Sequence, residues 1–227
     1  MSDSNQLVSE LFALGAHLGH KKSRVHPRSR RHIYKMVNGT SIIDLTQTVS
    51  QLDKAKKFLS EAAAEGKVAV FVATKRTAAQ ITGTACVEAG IPFITSKWTS
   101  GLLTNFDSLM KNVTRMNEMR AAQAAGDWGT FIKHEQTALS KQLAKLTRVY
   151  GGIATLTKRP DILVVIDIKK EKNTIKEAAA YDIPVVALTD TNSNPDLVQY
   201  PIATNDDSPQ VIEFFVKELV NAYAKKK

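Results

Sequence analysis

The sequence contains a single cysteine, Cys86, and no long apolar run. One cysteine excludes a disulfide framework and any zinc site built from several cysteines of this chain, and it favours a reducing, cytosol-like compartment. The longest apolar runs, such as residues 68–73, are far shorter than the roughly 18 residues of a membrane-spanning segment. The N-terminal residues also lack the pattern of a secretion signal. The sequence therefore predicts neither a secreted nor a membrane protein.

Common catalytic motifs are also lacking. No Gly-x-Gly-x-x-Gly sequence follows a predicted strand, and there is neither a Walker-type phosphate loop nor a Gly-x-Ser-x-Gly elbow. Cys86 stands beside Ala85 and Val87 in a predicted helix, a setting typical of a thiol packed in a core rather than of a nucleophile. These absences predict a protein that is not an enzyme and that uses no cofactor.

Acidic residues are absent from residues 17–35, which we call the basic segment. The chain has 227 residues, with 31 Lys and Arg against 22 Asp and Glu, and a net charge of +9. Seven cations lie in the basic segment, which leaves a net charge of only +2 for the rest of the chain. They are Lys21, Lys22, Arg24, Arg28, Arg30, Arg31 and Lys35. This local excess predicts a local contact with a polyanion.

RNA is the polyanion that the basic segment favours. Gly19 and Pro27 interrupt the segment, so we expect an exposed loop or arm. Arginine forks match phosphate geometry, and the absence of helical spacing favours contacts to RNA backbone and shape over base reading. Further cations expected to assist are Lys75 and Arg76, at the start of a predicted helix, and Lys97. The alternatives are a solvated run of charge and a structural adaptor without RNA contact.

Four histidines accompany these cations: His17, His20, His26 and His32. The spacing of His17 and His20 would suit a metal, but no neighbouring cysteine or carboxylate completes a set of ligands. We therefore predict no metal site, and expect the imidazoles to stack or hydrogen-bond beside the basic residues.

Strands alternate with helices over most of the chain, which predicts an α/β fold with an open parallel sheet. A first helix is predicted over residues 1–16. Predicted strands lie at 41–45, 68–73, 92–95, 162–167 and 184–189, and further helices at 47–65, 75–89, 171–181 and from residue 209. Runs such as Val68–Ala73 and Ile162–Ile166 are continuously apolar, as in strands buried on both faces.

Residues 105–150 interrupt the alternation. Apolar residues recur at intervals of three and four on both sides of Gly126, which predicts a protruding antiparallel helical hairpin of the coiled-coil type. Two helices packed flat on the sheet are the alternative. The predicted organisation is a helix and basic arm at 1–40, a sheet domain at 41–104 and 151–227, and the hairpin as an insertion at 105–150.

Polar residues follow three predicted strands and leave room for a second function. Lys75 and Arg76 follow the second predicted strand, Asp167 ends the fourth, and Asp190 and Asp196 lie in a loop after the fifth. Ligands of open α/β sheets bind outside the carboxyl ends of the strands. An enzyme that binds a sugar phosphate or a nucleotide in this crevice is therefore the alternative function.

Short stretches of distinctive sequence occur along nearly the whole chain. They include Gly15–His20 (GAHLGH), Ile42–Leu45 (IIDL), Thr74–Arg76 (TKR), Trp98, Leu103–Phe106 (LTNF), Asp190–Asn192 (DTN), Tyr200–Ile202 (YPI) and Asn205–Asp207 (NDD). Each stretch alone is short, but in their order and spacing the chain resembles the family of bacterial-type small-subunit ribosomal protein two.

The resemblance implies a flavodoxin-like sheet domain with a protruding helical hairpin and no enzymatic activity. It also implies that the chain is a structural component of the small ribosomal subunit, in a cytoplasmic or organellar ribosome, and supports translation. The implied partners are small-subunit ribosomal RNA, neighbouring ribosomal proteins and, among these, ribosomal protein one.

Overall fold

The computed structural model describes residues 2–224, so Met1 and residues 225–227, at the ends of the predicted segments, lie outside it. The chain forms α1 (Ser2–Ala13), β1 (Leu18–Lys21), β2 (Ile33–Val37), β3 (Thr40–Ile43), α2 (Leu45–Ala64), β4 (Ala69–Val72), α3 (Arg76–Ala89), β5 (Phe93–Ile94), α4 (Phe106–Ala125), α5 (Lys133–Tyr150), β6 (Ile162–Ile166), α6 (Lys172–Ala180), β7 (Val185–Thr189), β8 (Tyr200–Ala203) and α7 (Pro209–Ala224). Within residues 2–224, none of the helices is both long and apolar enough to cross a membrane.

Five strands form one parallel sheet in the order β5-β4-β6-β7-β8. Numbered along the chain within this sheet, the order is 2-1-3-4-5, which is the order of flavodoxin-like folds. The prediction of an α/β fold with an open parallel sheet is confirmed. The last strand, β8, was not predicted, because its four residues include Pro201 and follow a polar loop.

The parallel sheet is covered by helices on both faces. Alternate residues of β4 point to opposite sides, so Phe71 joins a core with Phe215 of α7, while Val70 joins a second core with Trp98. The residues of β4, β6 and β7 are all buried, as their continuous apolar runs predict.

A second, antiparallel sheet has the order β1-β3-β2 and corrects two expectations. The strand predicted at 41–45 belongs to this sheet and not to the parallel one. Only Ser41 and Ile43 of β3 are fully buried, so β3 has one buried face, as antiparallel strands do. The basic segment is likewise not an open loop. It is ordered by β1, by the 3-10 turns Lys22–Arg24 and Pro27–His32, and by the start of β2.

Helices α4 and α5 pack against each other. The ends of the two helices that lie nearest the parallel sheet are buried in the core. Val113 and Met116 of α4 and Leu143 of α5 are buried in one apolar cluster. Asn112 Nδ2 donates to the Tyr150 hydroxyl at 3.4 Å, so the start of α4 lies beside the end of α5. Gly126, with φ of +81°, ends α4. The two helices are therefore antiparallel, and their coiled-coil character remains a prediction.

Candidate nucleic-acid interface

The basic segment is fastened to the loop that follows β7. The Thr191 hydroxyl accepts a hydrogen bond from the His20 N–H at 2.9 Å, and the Thr191 carbonyl accepts one from the His26 N–H at 2.8 Å. The buried Ser29 hydroxyl donates to the Ser193 carbonyl. Because these contacts fix the backbone at three points, the cations of the segment project from a rigid support.

Gly19 lets β1 approach this loop closely. A Cβ atom at Gly19 would lie 2.7 Å from both Ser41 Oγ and Thr191 Cγ2. Contacts this short do not occur between real side chains, so a larger residue would push the basic segment away from its support.

All seven cations of the basic segment are exposed. Two of them share one carboxylate, since Arg31 Nη2 bonds to Asp196 Oδ1 and Arg28 Nε lies 3.7 Å from Asp196 Oδ2. The other five form no salt bridge within residues 2–224: Lys21, Lys22, Arg24, Arg30 and Lys35. The exposed ring of Tyr34 lies beside them, with Lys35 Nζ 5.7 Å from its centroid. This surface therefore offers free positive charge and one aromatic face.

Lys75 does not belong to that surface. Its Nζ lies 2.8 Å from Asp206 Oδ1, 2.6 Å from Asp207 Oδ1 and 3.3 Å from Asp167 Oδ2. Burial alone would lower the pKa of Lys75, but Asp206 and Asp207 outweigh it and raise that pKa. The geometry does not support the prediction that Lys75 contacts phosphate, because three carboxylates already surround its ammonium group.

Arg76 and Lys97 are exposed, in contrast to Lys75. Arg76 is the first residue of α3, and Lys97 directly precedes Trp98. Trp98 itself is buried, and its Nε1 donates to Glu177 Oε1 at 3.1 Å. Glu177 also accepts hydrogen bonds from the N–H groups of Gly101 at 2.9 Å and Leu103 at 3.2 Å. This one carboxylate therefore holds the loop that leads from Lys97 into α4.

The crevice of the parallel sheet is filled by the chain's own side chains. In this strand order the crevice lies between the carboxyl ends of β4 and β6. There Lys75 forms salt bridges with Asp167 and Asp206. The pKa of Asp206 is raised to about 7, first by burial and then by the nearby carboxylates Asp167 and Asp190. Glu171 is also buried there and accepts a hydrogen bond from the Thr74 N–H at 3.1 Å. We call Lys75, Asp167, Asp206 and Asp207 the strand-end cluster.

The histidines have separate surroundings. His17 stacks on Phe12, with 4.1 Å between ring centroids, and burial lowers its pKa. The Nδ1 atom of His26 accepts a hydrogen bond from the Arg28 N–H. His32 is buried, with Nδ1 3.0 Å from Gln47 Oε1. These three imidazoles therefore stack or hydrogen-bond within the chain, and their contact with nucleic acid stays a prediction.

His20 has two carboxylate neighbours, which the sequence did not reveal. Its Nδ1 lies 2.9 Å from Asp190 Oδ2 and its Nε2 lies 3.7 Å from Asp207 Oδ2. The hydrogen bond with Asp190 raises the pKa of His20. One donor atom from each of the three residues lies within 4.8 Å of the others, so they could hold a metal ion. The argument that no carboxylate completes a set of ligands is therefore wrong for His20, because Asp190 and Asp207 are distant in sequence.

Comparison with known proteins gives one consistent result. A family model described as "Ribosomal protein S2" matches residues 11–226. The small ribosomal subunit protein uS2 of a Dehalococcoides mccartyi strain is 39% identical over 215 residues, which cover 95% of this chain and 88% of that protein. The uS2 proteins of Gloeobacter violaceus and Chlorobium luteolum are each 38% identical, over 95% and 96% of this chain and 78% and 88% of their own lengths.

Proposed function

Because this chain belongs to the ribosomal protein S2 family, we propose that it is a structural component of the small ribosomal subunit that binds ribosomal RNA through its basic segment. The observation that carries the proposal is the set of seven exposed cations held on a rigid support. Membership of this family also confirms the prediction that the chain is not an enzyme.

The mechanism is electrostatic clamping of the RNA backbone. Each cation that meets a phosphate releases counterions, so the affinity falls steeply as salt rises. A support formed before binding lowers the ordering cost of the complex, since hydrogen bonds to the loop after β7 already hold the basic segment. Arg76 and Lys97 extend the surface, and Tyr34 offers a face on which a base can stack.

We propose neighbouring proteins of the small subunit as the other partners. The proposed location is a ribosome, either in the cytoplasm or in an organelle. Retention of ribosomal protein one stays a prediction from the family. The alternative enzyme requires an open crevice, whereas Lys75, Asp167 and Asp206 join directly across it. An adaptor without RNA contact would leave the free cations of the basic segment without a role.

A triple substitution tests the proposal. Arg28→Ala, Arg30→Ala and Arg31→Ala remove three exposed guanidinium groups. Arg28 and Arg31 also lose their contacts with Asp196, and Arg31 loses the hydrogen bond from its Nε to His32 Nε2 at 3.2 Å. We expect poor incorporation into small subunits on sucrose gradients. The slope of log affinity for small-subunit RNA against log salt should decrease by about two to three.

The matched control removes three exposed cations from α2 and α7, namely Lys54→Ala, Lys57→Ala and Lys217→Ala. Its net charge equals that of the test variant, so a general charge effect would weaken both equally. Normal incorporation of the arginine variant, with an unchanged salt slope, would refute the clamping mechanism.

A further inference from the structure

The helical pair α4–α5 differs in charge between its two halves. The inner half, residues 106–120 and 139–150, has six basic and two acidic residues. The outer half, residues 121–138, has one lysine, Lys133, against Asp127 and Glu135. All three of these side chains are exposed. The inner half therefore attracts phosphate, and the outer half has no electrostatic preference for it.

Two adjacent large apolar side chains are exposed in the turn of the outer half. Phe131 is 45% exposed and Ile132 is 68% exposed. Trp128, three residues before Phe131, is half-buried against the apolar core of the pair. A single exposed apolar residue is ordinary on any protein surface, whereas two neighbouring ones in the turn of a helical pair form a small apolar patch that a partner can cover.

Hydrogen bonds hold this turn in one conformation. The Phe131 N–H donates to the Trp128 carbonyl at 3.1 Å, and Gln136 Nε2 donates to the Phe131 carbonyl at 2.8 Å. Glu135 accepts a hydrogen bond from the Ile132 N–H at 3.3 Å. Phe131 and Ile132 are consequently presented in a fixed, extended arrangement, so little conformational entropy is lost when a partner covers them.

On the premise of the proposed function, we propose that the outer half docks into an apolar pocket of a neighbouring small-subunit protein, while the inner half faces RNA. Phe131 and Ile132 fill the pocket. Basic side chains at the rim of the pocket face the exposed carboxylates of Asp127 and Glu135, as charge complementarity requires. RNA fits this surface poorly, because phosphates would meet two carboxylates against one lysine, together with apolar side chains.

Site-specific photo-cross-linking in assembled small subunits tests the partner class. The variant Ile132→benzoylphenylalanine should give an adduct with a ribosomal protein. The matched variant Ala144→benzoylphenylalanine, at an exposed position of the inner half, should give an adduct with RNA. An adduct of position 132 with RNA or with a second copy of this chain would overturn the inference, and so would the absence of any protein adduct.

A pair of charge substitutions supplies a second measurement. Ile132→Asp and Gln123→Asp each add one carboxylate to the outer half, but only the first removes an exposed apolar side chain. We expect Ile132→Asp to weaken binding to small subunits that lack this protein by about tenfold, as for a central interface residue. Gln123→Asp should leave binding nearly unchanged.

Equal weakening by both substitutions would indicate an RNA contact and overturn the inference. Failure of the proposed function would give a different result, because the unsubstituted chain itself would then not sediment with small subunits.

Discussion

The basic segment and the strand-end cluster both combine cations with carboxylates, yet they use them differently. The side chain of Arg31 is 53% exposed and meets one carboxylate, whereas that of Lys75 is 18% exposed and meets three. Both cations were expected to bind phosphate from the sequence. Burial and the number of carboxylate neighbours therefore decide whether a cation is available to RNA or holds the fold together.

Substitution of Lys75 should have the largest effect on stability. Lys75→Ala leaves Asp206 and Asp167 close together in the crevice without a counter-charge. We expect a loss of about 3 kcal/mol in the free energy of unfolding, as for other broken buried ion pairs. Urea denaturation measures this loss, and the RNA affinity of the remaining folded protein should be unchanged.

The neighbouring cation provides the control for Lys75. Arg76→Ala removes an exposed charge, so stability should change by less than about 0.5 kcal/mol while the RNA affinity falls. If instead Lys75→Ala lowered the RNA affinity of folded protein and left stability unaltered, the contrast between the two regions would be lost.

A smaller but sizeable effect is expected at Gly19. Gly19→Ala places a methyl group 2.7 Å from Ser41 Oγ and Thr191 Cγ2, and the resulting strain should cost about 2 kcal/mol. Faster amide exchange over residues 18–32 would show that the basic segment has separated from its support.

Gly129→Ala serves as the control, because a Cβ atom there meets nothing within 4 Å. Equal stability of the Gly19 and Gly129 variants would mean that β1 does not depend on this close approach.

The smallest effect is expected at Asp196, the carboxylate that Arg28 and Arg31 of the basic segment share. Asp196→Ala frees Arg28 and Arg31 from an exposed ion pair, so stability should change by less than about 1 kcal/mol. Removal of a negative charge beside two guanidinium groups should raise the RNA affinity at low salt by roughly fivefold, the size of one close charge contact in water.

Filter binding over a salt series measures this change at Asp196, with Asp53→Ala on the exposed side of α2 as the charge-matched control. A drop in affinity would mean that Asp196 acts by orienting the arginines instead of competing with phosphate.

The sequence predicted the elements whose pattern is local. The apolar runs of β4, β6 and β7 identify strands buried on both faces, and the helix that contains Cys86 places that thiol in the core, where burial raises its pKa to about 12. The order of the strands does not follow from these runs, since right-handed crossovers allow several orders, and a flavodoxin-like sheet was implied only by the family resemblance.

The contacts that define the candidate site are not local, which explains why they were missed. Asp206 lies 131 residues from Lys75, and Asp190 lies 170 residues from His20. Glu177 is 79 residues from Trp98. The strands β1 and β2 escaped prediction because neither has an alternating pattern of burial: β1 has no buried residue, and four of the five residues of β2 are exposed.

These long-range contacts determine when the basic segment can fold during synthesis of the chain. The hydrogen bonds that fasten the basic segment reach across 164 and 171 residues, so the segment cannot take up its final shape until the ribosome has made most of the chain. Until then the nascent chain carries its densest positive charge as an untethered tail. Once β7 and the loop after it have been made, the basic segment can take up its fixed conformation.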